Sequence, residues 1–214
     1  MLKNIEKEYS FIVDNWDKIV FPQQIYNFFM TQKKKIGIVE LNYKKTQEHD
    51  KFRNAWVRVR KIKDNNNEKI ELTYKQYLWT KGWINNFLEI TENVPEFSWN
   101  IFLFNQIDNL NLTNNLKRIL LEINKFCGMK PWIKIENTRN LYYYTHKNCI
   151  LEVSDEKIKY ILWEKTYREK MLEIEIISDS YDPNEIKQFV GYFFNRYKLT
   201  VPSEGKSERC KKFC

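Results

Sequence analysis

The chain has 214 residues, of which 43% are hydrophobic and 16% aromatic, with a formal charge of +8. That composition excludes a disordered polymer. No apolar run approaches the ~18 residues of a membrane helix, and Met1-Leu2-Lys3-Asn4 opens without a signal-peptide core, so a soluble cytoplasmic protein with no membrane partner is expected. The basic balance calls for an anionic partner, whether nucleic acid, acidic surface or phosphorylated small molecule. The scattered Cys127, Cys149, Cys210 and Cys214, with two His in the whole chain, lack the matched ligand spacing of a zinc site and read as free thiols.

In chain order, residues 4–13 alternate as a strand. Residues 21–32 have the i, i+3, i+4 apolar spacing of a helix, at Ile25, Phe28 and Phe29. Residues 36–43 and 55–62 read as strands, and Asp64-Asn65-Asn66-Asn67 as a turn returning into a strand over 69–76. The 81–93 stretch is mixed. Helical spacing follows over 100–106 and 115–126, the second ended by Gly128. Strands resume at 132–145, 149–154, 157–164 and 171–178, with a tight turn at Asp155-Glu156, and a last helix spans 183–197 before a short polar tail. Two batches of about four strands, each followed by helix, predict an α+β fold. Its antiparallel sheet is closed or nearly closed, with the helices outside, in one domain over 1–214.

The chemistry lies in residues that share strand faces. Glu6 and Glu8 point one way from the first strand, and Glu173 and Glu175 do so near the far end of the chain. Four carboxylates turned into one cavity repel unless a cation joins them, and oxygen-only ligands suit Mg²⁺ or Mn²⁺. Arg58 and Arg60 share a face, and Lys75 sits on the paired strand, so the hairpin presents an anion platform. Arg139 repeats the theme in the second half, and Glu152 and Asp155 add acid after it. Taken singly, each is an ordinary solvated strand charge, and Lys206 a plain basic tail. Taken together, acids on one wall and cations on another fit a polyphosphate bound with a divalent metal.

This ordered set resembles the CYTH-type triphosphate tunnel metalloenzymes, a family of inorganic and thiamine triphosphatases and class IV adenylyl cyclases. The resemblance runs from the Glu-x-Glu of Glu6-Lys7-Glu8 through Arg58-Val59-Arg60, Thr73-Tyr74-Lys75, Arg139, Glu152-Val153-Ser154-Asp155 and Glu173-Ile174-Glu175 to Gly205-Lys206-Ser207-Glu208-Arg209. It implies an eight-stranded antiparallel tunnel with these residues inside and the tail folded back over its mouth. Glu6, Glu8, Glu152, Asp155, Glu173 and Glu175 would hold the metal, and Arg58, Arg60, Lys75, Arg139 and Lys206 the phosphates. Glu6, Glu8, Glu173, Glu175 and Lys75 would be catalytic. Two departures stand out: Ser10 and Asn137 occupy positions where the family has lysines, with Lys7, Lys134 and Lys165 as possible substitutes. Of the family's further acidic pair, Glu89 and Glu92 alone are at hand. The implied activity is metal-dependent hydrolysis of inorganic tripolyphosphate or of an organic or nucleoside triphosphate, by a monomer or homodimer. The alternatives are a cyclase acting on ATP, a polyphosphate-binding module without turnover, and an RNA 5′-triphosphatase.

Overall fold

A computed structural model describes residues 5–14, 18–64, 67–81, 84–94, 107, 110–178, 180–202, 206 and 209. Its strands are β1 (Ile5–Val13), β2 (Gln24–Ile25), β3 (Phe28–Lys45), β4 (Ala55–Asp64), β5 (Asn67–Lys81), β6 (Ile84–Val94), β7 (Met129–His146), β8 (Cys149–Leu162), β9 (Lys165–Ile176) and β10 (Leu199–Thr200). Among the described residues two α-helices, α1 (Asn114–Cys127) and α2 (Pro183–Arg196), interrupt them.

The sheet runs β1-β6-β5-β4-β3-β7-β8-β9, every pairing antiparallel, and β9 pairs back onto β1. The eight strands therefore close into the expected barrel, with β2 and β10 as short additions at β3 and β1. Closure removes free edges and divides every strand into an inward and an outward face.

The outward faces explain the helices. Leu116, Leu120 and Ile123 of α1 bury against Val57, Val59, Leu72 and Tyr74 on β4 and β5. Ile186, Phe189, Val190 and Phe193 of α2 bury against Phe11, Leu151, Val153, Leu172, Ile174 and Ile176 on β1, β8 and β9. The alternating strand residues that face the helices are apolar, which leaves the other parity free to be charged. Asp182 caps α2 by accepting from the Asn184 amide at 2.8 Å. Gly128 ends α1 at φ +60°.

Three local expectations are corrected. Residues 21–32 are not helical: β2 and β3 form a hairpin across Tyr26-Asn27, and Ile25 pairs directly with Phe28. Across a two-residue turn, partners stand three apart in sequence and on one face, which mimics helical spacing. Phe29 falls on the other side and is 52% exposed. The second correction is at Asp155-Glu156, which is mid-strand, so 149–154 and 157–164 are one strand, β8, turning at Trp163-Glu164. Third, the mixed 81–93 stretch holds strand β6 from Ile84 on. The helix expected over 100–106 lies outside the described residues.

Candidate functional site: a charged tunnel

The inward faces enclose a cavity of about 2140 Å³, and nearly all its charge comes from residues at alternating strand positions. Going round the barrel, acids line β8, β9, β1 and β6, with Glu40 on β3 and Glu71 on β5. Cations project from β4, β5 and β7. In an eight-strand ring β4 stands opposite β9, and β7 opposite β6, so Arg58 and Arg60 face the wall of Glu173 and Glu175, and Arg139 faces that of Glu89.

The register fixes the acid wall. Glu152 on β8 is the partner of Glu175 on β9, and Glu175 is the partner of Glu8 on β1. Three carboxylates thus form one cross-strand row at roughly 4.8 Å per strand. In the adjoining row, Ser154, Glu173 and Ser10 are partners. Glu152 and Glu175 make no ion pair within 4.0 Å among the described residues. Burial, with Glu152 and Glu8 beside it, pushes the Glu175 carboxyl up to about 7.

The cations are held by acids the sequence reading undervalued. Glu89 receives Arg58 at 3.1 Å, Arg60 at 3.2 Å and Lys75 at 3.6 Å. Burial would raise Glu89, but Arg58, Lys75 and Arg60 outweigh it and hold its carboxyl well below the usual range. Lys75 also reaches Glu6 at 2.7 Å and Glu8 at 3.3 Å and lies over the Phe87 ring at 4.1 Å. Its pKa is raised: burial opposes the charge, and Glu8 and Glu6 more than restore it. Glu40 stands 3.8 Å from Arg58, and Glu71 3.5 Å from Arg60.

A second charged group is centred on Glu156, which has no exposed side-chain surface. It accepts from Lys206 at 2.8 Å, Asn137 at 2.9 Å and Ser154 at 3.0 Å and pairs with Arg139 at 2.8 Å. Lys206 bridges to Glu173 at 2.8 Å. Burial opposes ionisation of Glu173, but Lys206 and Arg139 win and hold it ionised. Lys206 therefore lies inside the tunnel. Three residues on, Arg209 donates to Glu169 at 2.7 Å, and Tyr160 donates to the same carboxylate. Beside them Ile133, Ile135, Ile158 and Met171 form an apolar cluster on the inward faces of the same strands, and Ile135, Met171 and Arg209 line the cavity there.

The structure thus brings together Glu6, Glu8, Arg58, Arg60, Lys75, Arg139, Glu152, Glu173, Glu175 and Lys206. It does not bring Asp155, which lies one residue off the inward parity of β8, outside the barrel, 3.4 Å from Lys170. The inward acid there is Glu156, visible in the sequence as Glu152 plus four. Glu89 and Glu92 fall on opposite faces of β6, and Glu92 accepts from the Thr113 amide at 2.7 Å at the start of α1. None of the three substitute lysines enters the tunnel: Lys7 lies over the Tyr181 ring, Lys134 pairs with Glu136, and Lys165 is exposed at the β8–β9 turn. Ser10 instead donates to Glu8 at 3.2 Å, and Asn137 to Glu156.

Among the described residues no three acid, imidazole or thiol groups converge closely enough to hold an ion as they stand. The Glu8–Glu175–Glu152 row nonetheless fits a hard divalent cation in chemistry. It offers oxygen donors only, carries excess negative charge, and includes two carboxylates without an ion-pair partner.

No protein-family model matches the chain, and no curated protein matches it. Among solved structures, HpAC1 of Hippeastrum, an adenylyl cyclase candidate described as having a dominant triphosphatase activity, matches 97% of this chain over 95% of its own. The TM-score is 0.59 and the identity 14%. The PH1819 protein of Pyrococcus horikoshii OT3 matches 92% of this chain over 94% of its own, with a TM-score of 0.46 and 17% identity. For the S. pombe RNA triphosphatase Pct1 the figures are 82% and 72%, with a TM-score of 0.35 and 12% identity. The chain shares the closed tunnel fold of HpAC1, in keeping with the architecture its ordered motifs imply.

Proposed function

We propose that this chain hydrolyses a triphosphate substrate with a divalent metal, Mg²⁺ or Mn²⁺, inside the tunnel. The observation that carries the reading is the row of Glu8, Glu175 and Glu152 set across one cavity from Arg58 and Arg60, with Lys75 against its Glu8 end. The fold it shares with HpAC1, a protein with a dominant triphosphatase activity, supports it. Glu8, Glu152 and Glu175, with Glu6 and Glu173 adjoining, would hold the metal, which when bound supplies neutralisation and orientation of phosphate oxygens. Asp155, outside the barrel, takes no part.

Arg58, Arg60, Lys75, Arg139 and Lys206 grip the non-bridging oxygens, exchanging their present carboxylate partners for phosphate. Gripping two successive phosphates fixes the terminal phosphorus for in-line attack by water. The P–O bond to the bridging oxygen breaks, and the leaving diphosphate carries the charge away. The same cations offset the negative charge that grows on the bridging and equatorial oxygens. No covalent nucleophile is required. Ser10 and Asn137 are neutral where a cation would add grip; among the described residues Lys75 and Lys206 are the lysines paired with the inward acids Glu6, Glu8, Glu156 and Glu173, while Lys34 and Lys69 line the cavity nearer solvent.

The test is phosphate release from tripolyphosphate, thiamine triphosphate, ATP and 5′-triphosphate RNA, each with Mg²⁺ and with Mn²⁺. Products are identified so that cyclic nucleotide is distinguished from orthophosphate. Arg58→Ala is expected to lower turnover by about 10²-fold, and Glu175→Ala to abolish the metal requirement together with activity. Unchanged turnover in both variants sinks the proposal.

A further inference from the structure

Outside the tunnel, the outward faces change character where the helices stop. On β4 the outward residues run Val57 and Val59 beneath α1, then Lys61 and Lys63 in solvent. On β8 they run Leu151 and Val153 beneath α2, then Lys157 and Lys159. On β9, Ile176, Ile174 and Leu172 give way to Lys170 and Arg168. The register aligns these changes. Lys63, Gly37, Thr138, Lys157 and Lys170 form one row across β4, β3, β7, β8 and β9, and Lys61, Val39, Glu136, Lys159 and Arg168 the next. The result is a basic strip that follows the barrel wall from β4 round to β9, about half of its circumference and about 19 Å along the backbone at the strand spacing. Its middle is kept low by Gly37 and Thr138.

Part of this charge is compensated: Lys61 meets Glu68 at 2.7 Å, Lys159 meets Glu136 at 3.1 Å, and Lys170 meets Asp155. Lys63, Lys157 and Arg168 are exposed and make no ion pair among the described residues. At the end of the strip, on the tip of the β8–β9 hairpin, Trp163 is 91% exposed.

We propose that this strip binds the phosphate backbone of a single-stranded nucleic acid, with Trp163 as a stacking surface for a base. Three unpaired cations spaced along this curve, Lys63 three strands from Lys157, meet a wrapping backbone at intervals rather than at each phosphate, and an aromatic ring beside such a track is what sequence-tolerant single-strand binding uses. A lipid surface fits less well, because membrane attachment scales with apolar area and Trp163 is the one large apolar side chain the strip exposes. The inference goes beyond the tunnel chemistry and does not depend on it.

The experiment measures anisotropy of a labelled single-stranded RNA of about 20 nucleotides with a 5′-hydroxyl, so that no triphosphate can enter the tunnel. Excess tripolyphosphate is present to occupy that site. Wild type is compared with Lys63→Glu/Lys157→Glu, with Trp163→Ala and with Gly37→Glu. A side chain at Gly37 meets nothing within 4 Å, so the last adds opposing charge without crowding. The double reversal is expected to weaken binding by about tenfold or more and to flatten the salt dependence by about one to two contacts, with tripolyphosphate turnover and thermal midpoint unchanged. Thr138→Glu is the second variant of the low track should Gly37→Glu not fold. The proposal is overturned if wild type does not bind this RNA, or if binding ignores every one of these changes. It is equally overturned if the same changes release the protein from phosphatidylserine vesicles but not from RNA. Failure of the tunnel to hydrolyse any triphosphate leaves this readout intact, so the two readings fail separately.

Discussion

Glu175 is the residue at which the site's electrostatics are most exposed to test. Buried beside Glu152 and Glu8, its carboxyl is raised from 4.5 to about 7. A raised acid favours the fold in its protonated form. Its destabilising effect is therefore absent below about pH 4.5, grows as pH rises, and is complete above about pH 7. Glu175→Gln is expected to stabilise the metal-free protein at pH 8 by roughly 1–3 kcal/mol, with the gain vanishing by pH 4.5. Urea unfolding in chelator at the two pH values measures this, and equal effects at both would contradict it. In the wild type, divalent metal at pH 8 should supply the same relief. Glu6, Glu8, Glu173 and Glu175 were legible in the sequence because a Glu-x-Glu in a strand fixes a shared face. Glu156 was not, since it needed β8 to be one unbroken strand; with a turn at 155, its parity with Glu152 is lost. Glu40 and Glu71 each carry the inward parity but no neighbour of like charge at i+2 to mark them.

At the scale of elements, what the sequence concealed was its turns. Three two-residue hairpin turns begin with Tyr26, Lys147 and Trp163, at φ of 49°, 52° and 57°, where Gly or Asn is the usual signal. Without that signal the β2–β3 hairpin reads as a helix, and the end of β8 is placed too early. The helices, by contrast, announced themselves, α2 by Asp182-Pro183 and α1 by Gly128. The left-handed conformation costs an L-residue about 1–2 kcal/mol, and Trp163 is almost fully exposed, so little packing is lost with its side chain. Trp163→Gly is therefore expected to stabilise the fold by about 1 kcal/mol, read from the urea midpoint at unchanged slope. Gly128→Ala should do the reverse. It carries φ +60°, and its Cβ would sit 2.5 Å from the Thr46 hydroxyl oxygen, which already donates to the Cys127 carbonyl at 2.6 Å. A loss of about 2 kcal/mol is expected from strain and the displaced hydrogen bond. A neutral Gly128→Ala would mean that the α1–β7 junction adjusts freely.

For the molecule as a whole, the closed barrel converts alternating strand residues into an interior that no hydrophobic core could supply. Arg58, Arg60, Lys75 and Arg139 are largely desolvated and Lys206 partly so, each held by carboxylates that are themselves mostly buried. Such networks are weak sources of stability, because the cost of desolvating both partners offsets most of their attraction. Lys206 and Arg209 show how far this reaches: by composition they belong to a polar tail, the family resemblance alone marks Lys206, and the barrel supplies their partners Glu156, Glu173 and Glu169. Under the proposed function, metal would answer the Glu8–Glu175–Glu152 row and triphosphate the cations. Two ligands that each relieve the other's repulsion bind with positive coupling. Tripolyphosphate with Mg²⁺ or Mn²⁺ should therefore raise the thermal midpoint by more than the sum of the two alone. At a hundredfold excess over the dissociation constant the stabilisation is about 2.7 kcal/mol. Differential scanning fluorimetry on Lys75→Met, which leaves the acid row intact, separates the terms: the metal shift should persist and the tripolyphosphate shift should shrink. Additive shifts in the wild type would mean that the two walls bind their ligands independently, and that the tunnel does not hold a metal–triphosphate complex as one unit.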